Sequence, residues 1–257
     1  MSEGPWSLYL EGDFDGEENM RRDLVLYQRR EEEPASPALR VYGWEPWTVS
    51  LGRHQDPGAS LDREEIARRG YGWVARPTGG RAVFHARELT YCLAARQEPP
   101  FDGGLADTHQ RIAGALLRFY RGLGLAPELT RPAPAKDLDP RSQAPCFVAP
   151  GLAEIELEGR KLAGSAQLRG RQAFLQHGSL PLGPEHLLLP ALLPGSDELR
   201  ARMTRSLASR SLCLEDCLPA LPPRDELAGS LAAAFAGEFG ISWSEGDSSA
   251  LAPNALA

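Results

Sequence analysis

Residues 71–94 read YGWVARPTGGRAVFHARELTYCLA and decide the fold class. Three apolar runs, at 71–75, 82–85 and 89–94, are rich in aromatic and β-branched residues, a composition typical of strands. No segment of helical length separates them, so the regular strand–helix alternation of a doubly wound sheet is absent here. Since helical patterns precede and follow this stretch, the sequence predicts an α+β fold with a mixed β-sheet and flanking helices.

The patterns on either side supply the helices and the remaining strands. Residues 107–123 give the strongest helical pattern, because Ile112, Leu116 and Phe119 recur on one face and glycines follow. Helices are also predicted at 17–30 and, interrupted by a proline cluster, at 185–239; further strands are predicted at 6–10, 38–42, 48–51, 153–157, 161–167 and 173–180. Residues 127–150 are irregular and rich in proline, which is typical of functional or disordered segments.

Length and composition limit the classes of protein to consider. The chain has 257 residues, of which 42% are hydrophobic and 25% charged, values typical of a soluble globular protein. We expect a single domain over residues 1–243 and, from its composition, a mobile tail over residues 244–257. No apolar run is long enough to span a membrane, and the acidic N-terminus lacks the pattern of a secretory signal. We therefore expect the protein to work in the cytoplasm.

Charge and cysteine content exclude further classes. A net charge of −7 argues against a general nucleic-acid binder, because phosphate contacts require a basic surface. Four cysteines are too few for a disulfide framework in a chain of this length. Neither the cysteines nor the five histidines have the spacing of metal ligands. We therefore expect no bound metal and no cofactor.

The loop at residues 76–81, RPTGGR, lies between two predicted strands. Paired glycines let the backbone approach a ligand closely and direct amide groups at an anionic or carbonyl oxygen. The same residues would suit a tight hairpin turn, and the glycine patterns of phosphate-binding and dinucleotide-binding loops are absent. Arg76 and Arg81 bracket the glycines, which favours a binding loop.

Two further residues could carry chemistry. Cys146 ends the irregular segment, where a loop thiol can act as a nucleophile if its thiolate is stabilised. Lys161 is one of two lysines among 28 basic residues, and a run of small residues follows it. A solvated edge charge is the ordinary interpretation, but a compact ammonium can also stabilise a carbonyl oxygen or a thiolate. For His85 and His177, near these segments, a structural role is the default.

Several segments together resemble the biotin/lipoate ligase and lipoyl transferase superfamily. They are RPTGGRAVFH at 76–85, YGW at 42–44 with SLG at 50–52, and GSAQ at 164–167 with QHGS at 176–179. Within that superfamily, CF at 146–147 before AP at 149–150 is similar to the cysteine segment of the LipM-type octanoyltransferases. The resemblance extends over a core at about residues 6–203, and the C-terminal helices at 204–243 lie beyond it.

The resemblance implies a ligase-type catalytic domain that transfers an octanoyl group in lipoate biosynthesis. The donor would be octanoyl-acyl carrier protein, and the acceptor a lysine of a glycine-cleavage H protein or of a 2-oxoacid dehydrogenase lipoyl domain. Cys146 would form the acyl thioester, and Lys161 would be the active-site lysine. The implied substrate-binding residues are Arg76, Thr78, Gly79, Gly80, Arg81, His85, Gly164, Ser165, Ala166 and His177. No nucleic acid and no membrane would take part.

We expect such a transfer to have two halves. Cys146 would attack the donor thioester with Lys161 and the glycine-loop amides near the oxyanion, and the acceptor amine would then attack the enzyme thioester. Lys161 could serve as the base for that amine if burial favoured its neutral form. Because carrier proteins and lipoyl domains are acidic, docking would require a basic patch, for which the candidates are Arg76, Arg81, Arg87, Arg160, Lys161, Arg169 and Arg171.

Three alternatives share parts of this pattern. An ATP-dependent lipoate–protein ligase would use the same pocket without a cysteine, and an amidotransferase between lipoyl-domain proteins would use the cysteine with another donor. The third is a binding module without activity. Many ligases have an acidic residue where Ala86 stands and a third glycine where Arg81 stands. These departures support the binding module, but they also disfavour tight adenylate binding and so favour the thioester route.

Overall fold

The structure is a computed structural model that describes residues 5–130 and 153–252, so Cys146 lies outside the described residues. The strands are β1 (Trp6–Phe14), β2 (Ala38–Trp44), β3 (Thr48–Leu51), β4 (Gly72–Ala75), β5 (Val83–His85), β6 (Glu88–Arg96), β7 (Glu128–Thr130), β8 (Glu154–Leu157), β9 (Arg160–Lys161), β10 (Gly164–Arg169), β11 (Ala173–Pro181) and β12 (Trp243–Glu245). The helices are α1 (Gly16–Glu32), α2 (Pro57–Ser60), α3 (Arg63–Arg68), α4 (Leu105–Gly122), α5 (Asp197–Arg210), α6 (Leu214–Cys217) and α7 (Arg224–Phe239), and 3₁₀ helices lie at Pro184–Leu192 and Ser248–Leu251. None of the helices within these ranges has the length and apolar character of a membrane span.

Six of the strands form the main sheet, in the order β10–β11–β6–β2–β1–β12. β1 pairs in parallel with β2 and β12, whereas β2, β6, β11 and β10 pair antiparallel in succession. β6 and β11 are buried along almost their whole length, because the sheet is covered on both faces at its centre. The arrangement confirms the predicted α+β fold with a mixed sheet.

A small sheet brings the glycine loop to the main sheet. β3 lies between β4, with which it pairs in parallel, and β5, with which it pairs antiparallel. Residues 76–81 connect β4 to β5, so they pass from one side of β3 to the other. The alternative of a tight hairpin turn is therefore wrong, since the two flanking strands are not partners. A third sheet, β7–β8–β9, carries Lys161 on its last strand.

Helices α4 and α7 pack against each other and bury one face of the main sheet. The apolar stripe predicted on α4 is buried, because Ile112, Leu116 and Phe119 are each at most 2% exposed. Full burial of a side chain of this size contributes about 1.5–3 kcal/mol. The helix ends where Gly124 adopts a φ of 84°, in the left-handed region that favours glycine.

The C-terminal residues belong to the fold as far as residue 252. β12 extends the main sheet beside β1, and the 3₁₀ helix after it packs Leu251 into the interior at 0% exposure. The guanidinium of Arg29, on α1, donates to the carbonyl oxygen of Ala250 at 2.6 Å. The mobile tail predicted for residues 244–257 is therefore wrong over 244–252. A strand of three residues is too short to produce a recognisable period in the sequence.

We expect Leu251→Ala to lower the free energy of unfolding by about 2–4 kcal/mol, because the change leaves a cavity among buried side chains. Chemical denaturation followed by circular dichroism measures this loss. Leu10→Ala is the matched control, since Leu10 on neighbouring β1 is 51% exposed and should change stability by less than about 0.5 kcal/mol. Equal, small effects of the two substitutions would contradict the buried position of Leu251.

Candidate functional site

A pocket of about 450 Å³, counting the open space at its mouth, lies among the main sheet, the small sheet and α1. Its walls combine apolar side chains, the small residues of β10 and a set of buried polar groups; the lining residues are Met20, Tyr42, Trp44, Ser50, Arg76, Val83, His85, Thr90, Gly164, Ser165, Ala166, His177, Gly178 and Ser179.

Six of the ten predicted binding residues line this pocket, and they come from distant parts of the sequence. They are Arg76, His85, Gly164, Ser165, Ala166 and His177. Thr78 does not line the pocket but is hydrogen-bonded to His177, which does. Gly79, Gly80 and Arg81 continue the loop without lining it. The binding roles of all ten residues stay predictions.

Arg76 fixes the glycine loop from within. Its side chain is buried, and Nη1 donates to both the carbonyl oxygen and Oγ of Ser50 at 3.0 Å. Nη2 donates to the carbonyl oxygens of Gly79 at 2.9 Å and Arg81 at 2.6 Å. The loop also lies so close to β3 that a Cβ on Gly52 would come within 2.1 Å of the Gly80 carbonyl oxygen. Glycine at position 52 is therefore a steric requirement.

A second anchor of the loop runs through His177 to the interior. Thr78 Oγ1 lies 2.7 Å from His177 Nε2, and His177 Nδ1 lies 3.1 Å from Asp23 Oδ2. Burial lowers the pKa of His177, although Asp23 opposes the shift, so the imidazole is neutral near pH 7. A neutral ring with Nδ1–H donating to Asp23 leaves Nε2 to accept from the Thr78 hydroxyl. The loop is thus tied to α1 and β11.

Asp23 is buried together with the groups that stabilise its charge. Arg40 Nη1 donates to Oδ1 at 2.8 Å, and the Tyr42 hydroxyl donates to Oδ2 at 2.9 Å. Burial alone would raise the pKa of Asp23, but the hydrogen bond from His177 and the charge of Arg40 outweigh it and lower the pKa. Asp23 therefore carries a negative charge inside the protein at neutral pH.

His85 belongs to a similar chain of hydroxyl, imidazole and carboxylate. Its Nε2 lies 2.7 Å from Ser50 Oγ, and its Nδ1 lies 2.7 Å from Glu88 Oε1. The Glu88 carboxylate also accepts hydrogen bonds from the hydroxyls of Thr90 and Ser179, at 2.5 Å and 2.6 Å. The default structural role of both histidines agrees with these contacts, and both histidines also form part of the pocket wall.

Lys161 is buried rather than solvated at the sheet edge, with 7% of its surface exposed. Its Nζ lies 2.8 Å from Oε1 of Glu154, which is itself 6% exposed. The hairpin between them turns at Glu158 and Gly159, which adopt φ values of 54° and 73°. The backbone carbonyl of Lys161 accepts a hydrogen bond from the Leu212 amide at 2.9 Å. The lysine is therefore held on both its main chain and its side chain.

Some of the residues predicted for the basic docking patch are not available at the surface. Arg76 and Lys161 are buried, for the reasons given above. Arg87 is paired with Glu215 and Glu185, and Arg169 donates to Thr108 and to the Gly103 carbonyl oxygen, among other groups. The prediction is wrong for Arg76 and Lys161, because sequence alone does not show which basic side chains are buried. Arg81, Arg87, Arg160, Arg169 and Arg171 stay candidates.

The thiols within the described ranges are not activated. Burial raises the pKa of Cys92 and Cys217 and raises that of Cys213 to about 12. A nucleophilic cysteine requires the opposite shift. No group of His, Cys, Asp and Glu residues suited to hold a metal ion occurs in residues 5–130 and 153–252.

Sequence reasoning missed the acidic partners. Asp23, Glu88 and Glu154 were passed over because acidic residues in helices and strands are ordinarily solvated. Glu88 carried the clearest signal, since it opens a strand in which every residue from Leu89 to Ala95 is uncharged.

Comparisons with known proteins match most of the chain to one family. Residues 15–236 match the family model of the lipoyl protein ligase A/B catalytic domain. The chain is 36% identical over 247 residues to an octanoyltransferase LipM of Kyrpidia tusciae, covering 94% of this chain and 90% of the relative. It is 33% identical over 232 residues to an octanoyltransferase LipM of Bacillus subtilis, with 88% and 83% covered.

Solved structures share the fold at lower identity. A bipartite lipoate protein ligase of Thermoplasma acidophilum superposes with a TM-score of 0.77 at 20% identity, covering 95% of this chain and 87% of that one. A lipoate-protein ligase A bound with ATP gives 0.72 at 21% identity, with 95% and 88% covered. These similarities confirm the predicted ligase-type fold.

We expect Thr78→Val to loosen the glycine loop, because the change removes the hydroxyl that His177 Nε2 accepts. The loss should lower the free energy of unfolding by about 1–3 kcal/mol, since a buried acceptor is left without a donor. Hydrogen exchange of the amides at 76–81 should also become faster. Thr78→Ser, which keeps the hydroxyl, is the control, and equal exchange rates in both variants would show that the hydrogen bond does not hold the loop.

Proposed function

Because the chain belongs to the lipoyl protein ligase A/B catalytic-domain family, we propose that it is a cytoplasmic octanoyltransferase of lipoate biosynthesis. It takes the octanoyl group from octanoyl-acyl carrier protein and transfers it to a lysine of a glycine-cleavage H protein or a 2-oxoacid dehydrogenase lipoyl domain. The observation that carries the proposal is the identity of 33–36% with octanoyltransferases over most of the chain. We include β12 in this single catalytic domain.

The pocket suits a linear alkyl chain. Met20, Tyr42, Trp44 and Val83 supply apolar surface, and burial of each methylene contributes about 0.8 kcal/mol. The polar groups of the wall are already hydrogen-bonded to one another through the His85 and His177 chains. An alkyl chain can therefore displace water from the pocket without leaving buried donors or acceptors unpaired.

The first half-reaction transfers the acyl group to the enzyme. The Cys146 thiolate attacks the carbonyl carbon of the donor thioester, and the bond to the carrier's sulfur breaks as its thiolate leaves. The ammonium of Lys161 stabilises the negative charge of the oxyanion that forms in between. The exchange converts one thioester into another, so it is close to thermoneutral.

The second half-reaction transfers the group to the acceptor. The neutral amine of the acceptor lysine attacks the enzyme thioester, an amide bond forms, and Cys146 leaves as a thiolate while the amine loses a proton. An amide is more stable than a thioester, so this step makes the overall transfer favourable. Neither half consumes ATP, which separates the proposal from a lipoate–protein ligase.

We expect incubation with octanoyl-acyl carrier protein, without ATP, to add about 126 Da to the wild-type chain as a hydroxylamine-labile adduct. Intact-protein mass spectrometry measures the adduct. Cys146→Ala should form none, whereas Cys217→Ala should form as much as wild type, because Cys217 has a raised pKa. Acyl transfer that requires ATP and free octanoate, and survives Cys146→Ala, would overturn the proposal in favour of the ligase.

A further inference from the structure

We propose that Glu154 is a positioning residue for octanoyl transfer, whose carboxylate pairs with the Lys161 ammonium group and fixes its direction. The inference rests on the proposed function, since it takes Lys161 as the lysine that stabilises the oxyanion. It assigns a role to a residue that the sequence did not single out.

The hairpin places the two side chains on one face of the third sheet. Lys161 pairs directly with Glu156 across β8 and β9, so residues two apart on β8, Glu154 and Glu156, share its face. The lysine nevertheless extends diagonally to Glu154, where Nζ and Oε1 are 2.8 Å apart. A diagonal pair is within reach of long side chains. The ion pair thus directs the amine away from the half-buried Glu156 and into the interior.

Burial makes the carboxylate necessary. A buried charge is stable only when an opposite charge compensates its loss of hydration, and both partners here are at most 7% exposed. Arginine stands at 26 of the 28 basic positions, so lysine here is an exception in this chain. A compact ammonium can approach a carbonyl oxygen where a planar guanidinium would not fit.

Among the described residues, the other titratable groups near the hairpin do not supply this charge. Beyond Glu156, the chain after α5 runs beside Lys161, and Ser211 there bonds to Nε2 of His186 at 2.9 Å. Burial lowers the pKa of His186, so it is neutral near pH 7. Arg160 lies 3.9 Å from Glu158 at the turn. Tyr120, which donates to the Leu162 carbonyl oxygen, and Cys217 have raised pKa values and are neutral near pH 7. Among the described residues, Glu154 is the carboxylate that contacts the Lys161 ammonium directly.

The role has a consequence for the mechanism. A lysine held as an ammonium stabilises the oxyanion but cannot accept a proton from the incoming amine. Of the two roles that the sequence left open for Lys161, the structure favours the electrostatic one.

The test is the rate of octanoyl-enzyme formation between pH 7 and pH 9, measured by intact mass for wild type, Glu154→Gln and the control Glu156→Gln. We expect the ratio of the Glu154→Gln rate to the wild-type rate to fall about tenfold or more across this range, because a buried ammonium without an opposite charge beside it gives way to its neutral form as the pH rises. The neutral amine cannot stabilise the oxyanion. Glu156→Gln should follow the wild-type profile.

A second comparison, made in the Lys161→Arg variant, separates an effect on the charge of residue 161 from an effect on the structure. In Lys161→Arg the guanidinium stays charged throughout this range, so adding Glu154→Gln should leave the pH profile unchanged. If Glu154→Gln does not fold, Glu154→Asp serves instead, and its shorter side chain should give a smaller change in the same direction. A pH profile equal to wild type in the folded variant, even at a lower rate, would overturn the inference. Absence of any adduct on wild type would overturn the proposed function, and the inference with it.

Discussion

The carboxylate of Asp23 is the interaction on which the site depends. It lies at 0% exposure on α1 and joins two strands of the main sheet to that helix, β2 through Arg40 and Tyr42 and β11 through His177. Through His177 it also reaches Thr78 in the glycine loop. A buried carboxylate is stable only when opposite charge and hydrogen bonds compensate its desolvation. The positions of α1, the main sheet and the glycine loop therefore depend on one another.

The same constraint explains how a pocket with many polar residues can receive an alkyl chain. The hydroxyls, imidazoles and carboxylates around it satisfy one another, so their side chains present an effectively apolar wall. Trp44 adds to this wall by stacking on His85, with the ring centroids 4.1 Å apart. In the proposed reaction the pocket only holds the substrate, and the chemistry falls to Cys146 and Lys161.

The sequence predicted the fold well where patterns are long. The stripe on α4 is visible because its apolar residues repeat the helical period, and β6 and β11 are visible as long runs with no Asp, Glu, Lys or Arg in their middle. The glycine loop was recognisable from its resemblance, but the role of Arg76 was not, since an arginine next to a turn is ordinarily solvated. β12 was missed because its three residues are stabilised by pairing with β1 rather than by their own pattern.

Contacts between residues that lie far apart in the sequence were the hardest feature to predict. Asp23 and His177 are separated by more than half of the chain, and each is ordinary in its own segment. Glu154 is near Lys161 in sequence, yet only the turn at residues 158–159 shows that the two side chains meet. Such pairs follow from topology, which no single-sequence pattern encodes.

The central claim is that the enzyme thioester lies on the path to the product. The most direct measurement isolates the octanoyl-enzyme, frees it from donor, and mixes it with a lipoyl domain in a single turnover followed by intact mass. We expect the enzyme to lose its octanoyl group as the acceptor gains one, at a rate at least equal to steady-state turnover. An octanoyl-enzyme that persists, or that hydrolyses without acylating the acceptor, would contradict the account.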